Sequence, residues 1–390
     1  MGLGWGPLGG QGAGPGVGQA EAAGSESCTS VPFRRHDTGY SYFRIPALIR
    51  IADGTILAFA EGRKDGGGDS GNIDLVLRRS RDGGCSWESL ILVADHGRDT
   101  IGNPTPVYDE ITGQVVLLAT GNGGKLSERE IRGGRATALT TRRAYRLISG
   151  DGGLTWSERE ITRWVKRPGW RWYATGPGHA VQLIGGRYSG RLVATGVHTI
   201  APARGQLGTN YKYSGTHSLI SDDHGETWRL GFVDRSYDGW INTNETAVAQ
   251  LADGRLYFNS RDQQGRAPGN RAVGWSRTGG STLSGKFLPA GRTAAPMVQC
   301  SVLSLGNTLI FAGPSSLDGT RSRLTVRSAP GDGSSGRFTA QRMLWNGFAA
   351  YSDLVPVGPA TVGVLYERGR TSPYDEIGYQ SVPIDTLPKL

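Results

Sequence analysis

Short apolar runs, each opened by a turn, recur along the chain. Asp53-Gly54 leads into Ile56-Leu57-Ala58-Phe59, Gly113 into Val115-Val116-Leu117-Leu118, and Gly190 into Leu192-Val193-Ala194. The pattern returns at Gly254-Arg255-Leu256-Tyr257-Phe258, at Asn307-Thr308-Leu309-Ile310-Phe311 and at Thr361-Val362-Gly363-Val364-Leu365-Tyr366. Short runs of strand-forming residues bounded by Gly, Asp, Asn and Pro predict β-strands. Helical periodicity is scarce after Ser25.

A second pattern, S-x-D-x-G-x-[ST]-W, is interleaved with the first. It occurs at Ser80–Trp87, Ser149–Trp156 and Ser221–Trp228, with degenerate copies at Ser276–Leu283 and near Ser328–Phe338. Asp bonds nearby backbone and Gly accepts positive φ, so the box predicts a hairpin turn. The Trp that follows can bury its ring between neighbouring sheets. The Asp residues of these boxes are expected to shape turns and to point away from any site. Three full boxes in register with six strand repeats signal an internal repeat. Spread over six units, the chain leaves about 60 residues per unit, enough for a four-stranded propeller blade. The expected fold is all-β, a six-bladed β-propeller; two β-sandwiches would not sustain the period. There is no interior linker, so residues 31–390 are expected to form one domain after a Gly-rich arm, residues 1–30.

Composition narrows the class. Gly supplies 62 of 390 residues without a G-X-Y period, which excludes collagen. Hydrophobic residues at 37% and charged ones at 20% are a globular balance. No apolar run approaches the roughly 18 residues of a membrane helix, so no span is expected. Net charge is +9, and 37 of the 43 basic residues are Arg. They are spread along the whole chain. Even the densest patch, Arg129–Arg146, is bordered and interrupted by Glu128 and Glu130. A solvated basic surface that attracts acidic substrates accounts for this better than a nucleic-acid groove.

Cys28, Cys85 and Cys300 have no zinc-like spacing. One disulfide can form, and the sequence does not choose it. Six scattered His give no metal cluster, and the N-terminal G-x-G patterns lack the flanking strand and helix of a dinucleotide site. No cofactor is expected. Met1–Gly24 contains ten Gly, no Lys or Arg and no apolar core, so it reads as a low-complexity arm rather than a signal peptide.

Tyr42-Phe43-Arg44-Ile45-Pro46 resembles the F/Y-R-I-P motif of sialidases (exo-α-sialidases, neuraminidases), which combine it with repeated Asp boxes on a six-bladed propeller. The resemblance covers about Val31 to Pro388. It implies a substrate whose carboxylate sits on the anomeric carbon, and three Arg to hold it bidentately. By motif the first two are Arg44 and Arg261. The third is Arg321, with Arg323 and Arg327 close enough to compete.

The resemblance also assigns the reacting groups. Tyr351, in Phe348-Ala-Ala-Tyr351-Ser-Asp353, matches the nucleophile segment, and Glu245 matches its base. A neutral phenol avoids the repulsion that a carboxylate nucleophile would meet beside the substrate's own carboxylate, but needs a base to take its proton. Asp69, six residues after Arg63 in a Gly-rich loop, matches the acid/base, with Asp65 and Asp74 as competitors. Glu367 looks like the buttress of Arg44. Arg63 is expected to contact ring substituents of the sugar. Asn103 stands where several bacterial relatives carry Asp and can hydrogen-bond a hydroxyl. The loop Gly121–Arg135 is a candidate wall for the N-acetyl pocket. His179 lies near the rim or is a satisfied structural histidine.

The implied function is hydrolysis of terminal α-linked sialic acids from glycoproteins, glycolipids and oligosaccharides, with retention of configuration. The expected partner is a sialylated glycan, without nucleic acid or membrane span, and family resemblance favours secretion. A non-hydrolytic sialic-acid-binding propeller would keep the boxes but not Tyr351, Glu245 and Asp69 together. Transfer to another sugar, or action on a related nonulosonic acid, is the remaining alternative.

Overall fold

Each of the six turn-led runs forms the second strand of an antiparallel pair. Strand Tyr42–Arg50 pairs with Ile56–Arg63, Thr100–Asp109 with Gln114–Asn122, and Tyr173–Thr175 with Leu192–Thr199. Thr243–Gln250 pairs with Leu256–Asp262, Ser301–Leu305 with Thr308–Pro314, and Ala340–Gly358 with Thr361–Gly369. A third strand follows each pair, at Ile73–Ser80, Arg143–Ser149, Ser214–Ser221, Arg271–Ser276, Ser322–Pro330 and Glu376–Pro383. These positions come from a computed structural model, which describes residues 1–3, 27–290, 295–316, 318–331 and 338–390. Most of the Gly-rich arm, and part of the degenerate box near Ser328–Phe338, lie outside the described residues. Among the described residues, helix is confined to Glu128–Arg132, Thr162–Val165 and a 3-10 turn at Tyr211–Tyr213.

The repeat strands are apolar on successive residues because both faces are buried. Leu57 and Phe59 pack with Ile101, Leu117 and Leu147 of the next unit. Ile56, Ala58 and Ala60 on the other face pack with Leu365, Ile377 and Tyr379 of the last unit. The same sharing continues round the chain. Val116 and Leu118 meet Leu192 and Leu219; Val193 meets Leu256 and Phe258; Tyr257 meets Leu309 and Phe311; Ile310 and Leu324 meet Val362 and Val364. Each strand thus contributes to two cores, and the last unit packs back on the first. Burying a Leu, Val or Phe side chain contributes about 1.5–3 kcal/mol, so these shared faces dominate the stability.

The boxes are hydrogen-bonded turns. Asp82 accepts from the Ser86 backbone N–H at 2.9 Å and its hydroxyl at 2.5 Å, while the Ser80 hydroxyl accepts from Gly84 N–H at 2.8 Å. Asp151 and Asp223 repeat the arrangement with Thr155 and Thr227. Ser276–Leu283 has the same turn with Thr278 replacing Asp: its hydroxyl accepts from Thr282 N–H at 2.8 Å. Trp228 is buried, whereas Trp87 and Trp156 are only half-buried.

The first box also meets the chain's N-terminal strand. Thr29–Arg34 adds to the edge of Glu376–Pro383, Cys28 is disulfide-bonded to Cys85 inside the box, and Trp87 Nε1 donates to the Ser30 hydroxyl. Cys300 is free and buried.

One expectation is corrected here. The Arg129–Arg146 patch is not a solvated surface throughout, because Arg132, Arg142 and Arg146 are buried. Arg132 reaches Glu128 and the carbonyls of Gly208 and Thr209, and Arg146 reaches Glu226. Loops from neighbouring segments cover these cations and supply their acceptors.

Candidate active site

Four first strands carry the same irregularity. In Tyr42–Arg50 the register slips between Arg44 and Ala47, and in Thr100–Asp109 between Gly102 and Thr105. It slips between Thr243 and Thr246, and between Ala349 and Ser352. Each slip places two residues opposite one, a β-bulge, which re-aims side chains next to a site. The bulged residues are Ile45-Pro46, Asn103-Pro104, Asn244-Glu245 and Ala350-Tyr351. Ile45 and Asn103 take φ of 59° and 55°, unusual for residues with a Cβ. The geometry also explains a spacing in the sequence: Glu245 lies opposite Arg261, and Tyr351 opposite Glu367, sixteen residues apart in both cases.

The bulges open onto a cavity of about 250 Å³ that Arg44, Arg63, Asp69, Asn103, Glu245, Arg261, Arg321 and Tyr351 all line. Arg44 is clamped by Glu367, with Nε to Oε1 at 2.8 Å and Nη2 to Oε2 at 3.2 Å. Burial opposes the Arg44 charge, but Glu367 outweighs it and its pKa is raised. The guanidinium stacks on Tyr374, 3.8 Å from the ring centroid. Glu367 does not line the cavity; it is fully buried behind it and also accepts from the backbone N–H groups of Ile45 and Tyr351. Arg321 donates to the Tyr374 hydroxyl at 2.9 Å and to the Met297 carbonyl at 3.1 Å. Of its two competitors, Arg323 is exposed with φ of 63°, and Arg327 lies beside Phe311; neither lines the cavity.

At the centre, the Tyr351 hydroxyl donates to Glu245 Oε1 at 2.5 Å. Arg261 Nη1 donates to Glu245 Oε2 at 2.9 Å and lies 3.4 Å from the phenolic oxygen. Burial and then the Glu245 charge push the Tyr351 pKa well up, against the pull of Arg261, Arg321 and Arg44. The resting phenol is therefore protonated and neutral.

Asp69 sits on the rim with its side chain 68% exposed. Burial works against its ionisation, and the Arg63 and Arg44 guanidiniums more than offset this, holding its carboxyl below the usual range. Its competitors are engaged elsewhere. Asp74 is fully buried against Tyr40 and Lys64, and Asp65 accepts from Asn72 N–H. Arg63 reaches the cavity wall, but its donors go to Glu61, to the Gly67 and Gly68 carbonyls and to Asp69. It ties down the Asp69 loop. The Asn103 backbone N–H donates to Glu61 Oε1 at 2.8 Å, and the Asn103 side-chain oxygen Oδ1 accepts from Arg142.

Sequence reasoning missed Glu61, Arg142, Trp172, Tyr211 and Tyr374, all of which line the cavity. Arg142 is held by Asn103, Asn122 and the Tyr173 carbonyl, and stacks over Trp172. Burial lowers its pKa to about 10. Nothing in the sequence separates it from its many neighbours in the basic patch. Tyr374 stands seven residues after Glu367 with no motif around it; Glu61 was legible only as part of the Asp69 loop. From the loop Gly121–Arg135, Glu128 reaches the cavity. His179 lies outside it, bonded to Asp353.

Three guanidiniums, of Arg44, Arg261 and Arg321, converge beside a phenol–carboxylate pair on a scaffold of repeated boxes, and define a β-repeat protein with a cationic pocket suited to an anionic group. Residues 54–364 match the BNR repeat-like domain. A sialidase from Micromonospora viridifaciens is 30% identical over 350 residues, 85% of this chain and 50% of that protein. An exo-alpha-sialidase from Aspergillus fumigatus is 30% identical over 358 residues, 84% of this chain and 79% of that protein. Among solved structures, the Hadza microbial sialidase Hz136 matches with a TM-score of 0.77 at 25% identity, over 92% of this chain and 69% of that one. The chain belongs to the sialidase family.

Proposed function

We propose that the protein is an exo-α-sialidase that releases terminal α-linked sialic acids from glycans with retention of configuration. The observation that carries this is the Tyr351–Glu245 hydrogen bond of 2.5 Å, braced by Arg261. Arg44, Arg261 and Arg321 hold the substrate carboxylate. Asp69 protonates the leaving oxygen while the Tyr351 oxygen attacks the anomeric carbon and passes its proton to Glu245. The resulting aryl glycoside is opened by water that Asp69 deprotonates, while Glu245 returns its proton to the departing Tyr351 oxygen, and the two inversions give net retention. A bound carboxylate occupies the guanidinium of Arg44 and adds a like charge, so Asp69 gains affinity for the proton it must donate. Asn103 offers its amide NH₂ to a sugar hydroxyl. Glu367 fixes the fork of Arg44, and Arg63 acts mainly by holding the Asp69 loop.

We also read the scaffold as a six-bladed propeller. Supporting this are six successive strand triplets, six shared cores in cyclic order and the N-terminal strand completing the last unit. In this reading the 19-residue strand Ala340–Gly358 serves two blades. The pocket lies where the first strands meet.

Purified protein should release fluorophore from a fluorogenic sialoside and free sialic acid from a sialylated oligosaccharide. No release above background from folded protein would overturn the reading. Product analysis with an added galactoside acceptor separates hydrolysis from transfer.

A further inference from the structure

Tyr351 sits where the β-ladder does not hold it. Ala349 and Ser352 pair with Arg368 and Tyr366, and Ala350 and Tyr351 fall in the gap between. The Tyr351 N–H goes to the Glu367 carboxylate rather than to a strand carbonyl. Side chains around the bulge must therefore set the height of the phenol. Two residues on, Asp353 is buried to 1% exposure and collects donors from three other units. Leu48 N–H reaches Oδ2 at 2.8 Å and His179 N–H reaches it at 2.9 Å. The Ser301 hydroxyl reaches Oδ1 at 2.8 Å, and His179 Nδ1 reaches it at 2.7 Å. Leu48 follows Arg44 by four residues on the same strand, just past the bulge, so one carboxylate ties the Arg44 strand to the Tyr351 strand.

We propose that Asp353 and His179 are a positioning pair that fixes the Tyr351 oxygen against Glu245 without touching substrate. This rests on the reading of Tyr351 as nucleophile. Charge-assisted bonds make the carboxylate a stiff node. The His179 ring supplies one of its two side-chain donors. The node does not carry the guanidiniums directly. Arg44 is held by Glu367, Arg261 by Glu245, and Arg321 by Tyr374 and Met297. Loosening it should shift the nucleophile while leaving carboxylate recognition in place.

The test compares His179→Leu with His179→Asn in the full chain, beside wild type. The two replacements have the same number of side-chain heavy atoms and the same branching, and the Asn amide places a donor near the position of Nδ1. His179→Leu is expected to lower kcat about 10–100-fold, the scale of an ångström-level misplacement. KM and inhibition by an unsaturated sialic acid analogue should stay within about twofold, and His179→Asn should recover most of kcat. If the Leu variant does not fold, Asp353→Asn is expected to show the same loss confined to kcat. An active wild type whose Leu variant keeps its kcat, or loses kcat and analogue affinity together, overturns the positioning role. A wild type that releases no sialic acid overturns the nucleophile reading instead.

Discussion

The phenol of Tyr351 and the carboxylate of Glu245 share a 2.5 Å hydrogen bond, and Arg261 holds the second Glu245 oxygen at 2.9 Å. Burial and Glu245 keep the phenol protonated at rest, so the proposed attack requires the proton to leave as the bond to carbon forms. Glu245→Gln should therefore lower kcat by about 10²–10⁴-fold, the usual contribution of a positioned base. A difluorinated sialic acid should leave a covalent adduct on the peptide containing Tyr351, visible by mass spectrometry, and Tyr351→Phe should leave none.

Glu367 has a stability role as well as an orienting one. It is fully buried against a nearly buried Arg44, with two further backbone donors. Glu367→Ala strands the guanidinium and should cost about 3–5 kcal/mol, the scale for breaking a buried pair. Urea unfolding measures this. Analogue affinity should fall in the same variant, since the fork of Arg44 would no longer be fixed.

Asp69→Ala should slow release of a natural sialyl-galactoside by about 10²–10⁴-fold, because its leaving oxygen needs a proton. An aryl sialoside with an acidic leaving group should lose much less. Equal losses on both substrates would remove Asp69 from the acid role and leave Asp65 to be tried next.

Acid should destabilise the fold through two buried histidines. His198 and His217 face each other with Nδ1 atoms 3.1 Å apart, and His198 is stacked on Trp170. Burial, then Arg167, pushes the His217 pKa down to about 3; burial, then His217, lowers His198 well below its ordinary value. Both take up protons more readily when unfolded. Their contribution is complete above about pH 6.5 and falls as pH drops towards 3, by up to about 1.4 kcal/mol per pH unit for each. His179 acts in the opposite sense: burial opposes its charge, but Asp353 raises its pKa, so its contribution holds below about pH 6.5 and fades as pH rises. Thermal melts of wild type and His217→Gln from pH 7 to 4.5 should show the shallower acid slope in the variant.

Much of the fold was legible in the sequence. The six apolar runs stand out because each strand is buried on both faces, and the boxes because Asp, Gly and Ser each have a fixed task in the turn. Arg44, Glu245, Arg261 and Tyr351, which the structure brings to one pocket, each stood in a recognisable motif. The bulges were not legible. Ile45 and Asn103 adopt positive φ without the glycine that would signal it. Tyr374 and Arg142 were hidden for another reason: their roles depend on what they stack against, Arg44 and Trp172, which lie far away along the chain. Likewise, Arg321 could be separated from Arg323 only by the positive φ at Arg323 and the slip in register beside it.

Strand bulges in four first strands divide each into two independent registers. Past the slip, adding or deleting one residue would turn a whole run of core side chains outward. The slip insulates the far half of each strand from a change of register at the mouth, while Phe43 and Ile101 keep the mouth anchored in the core.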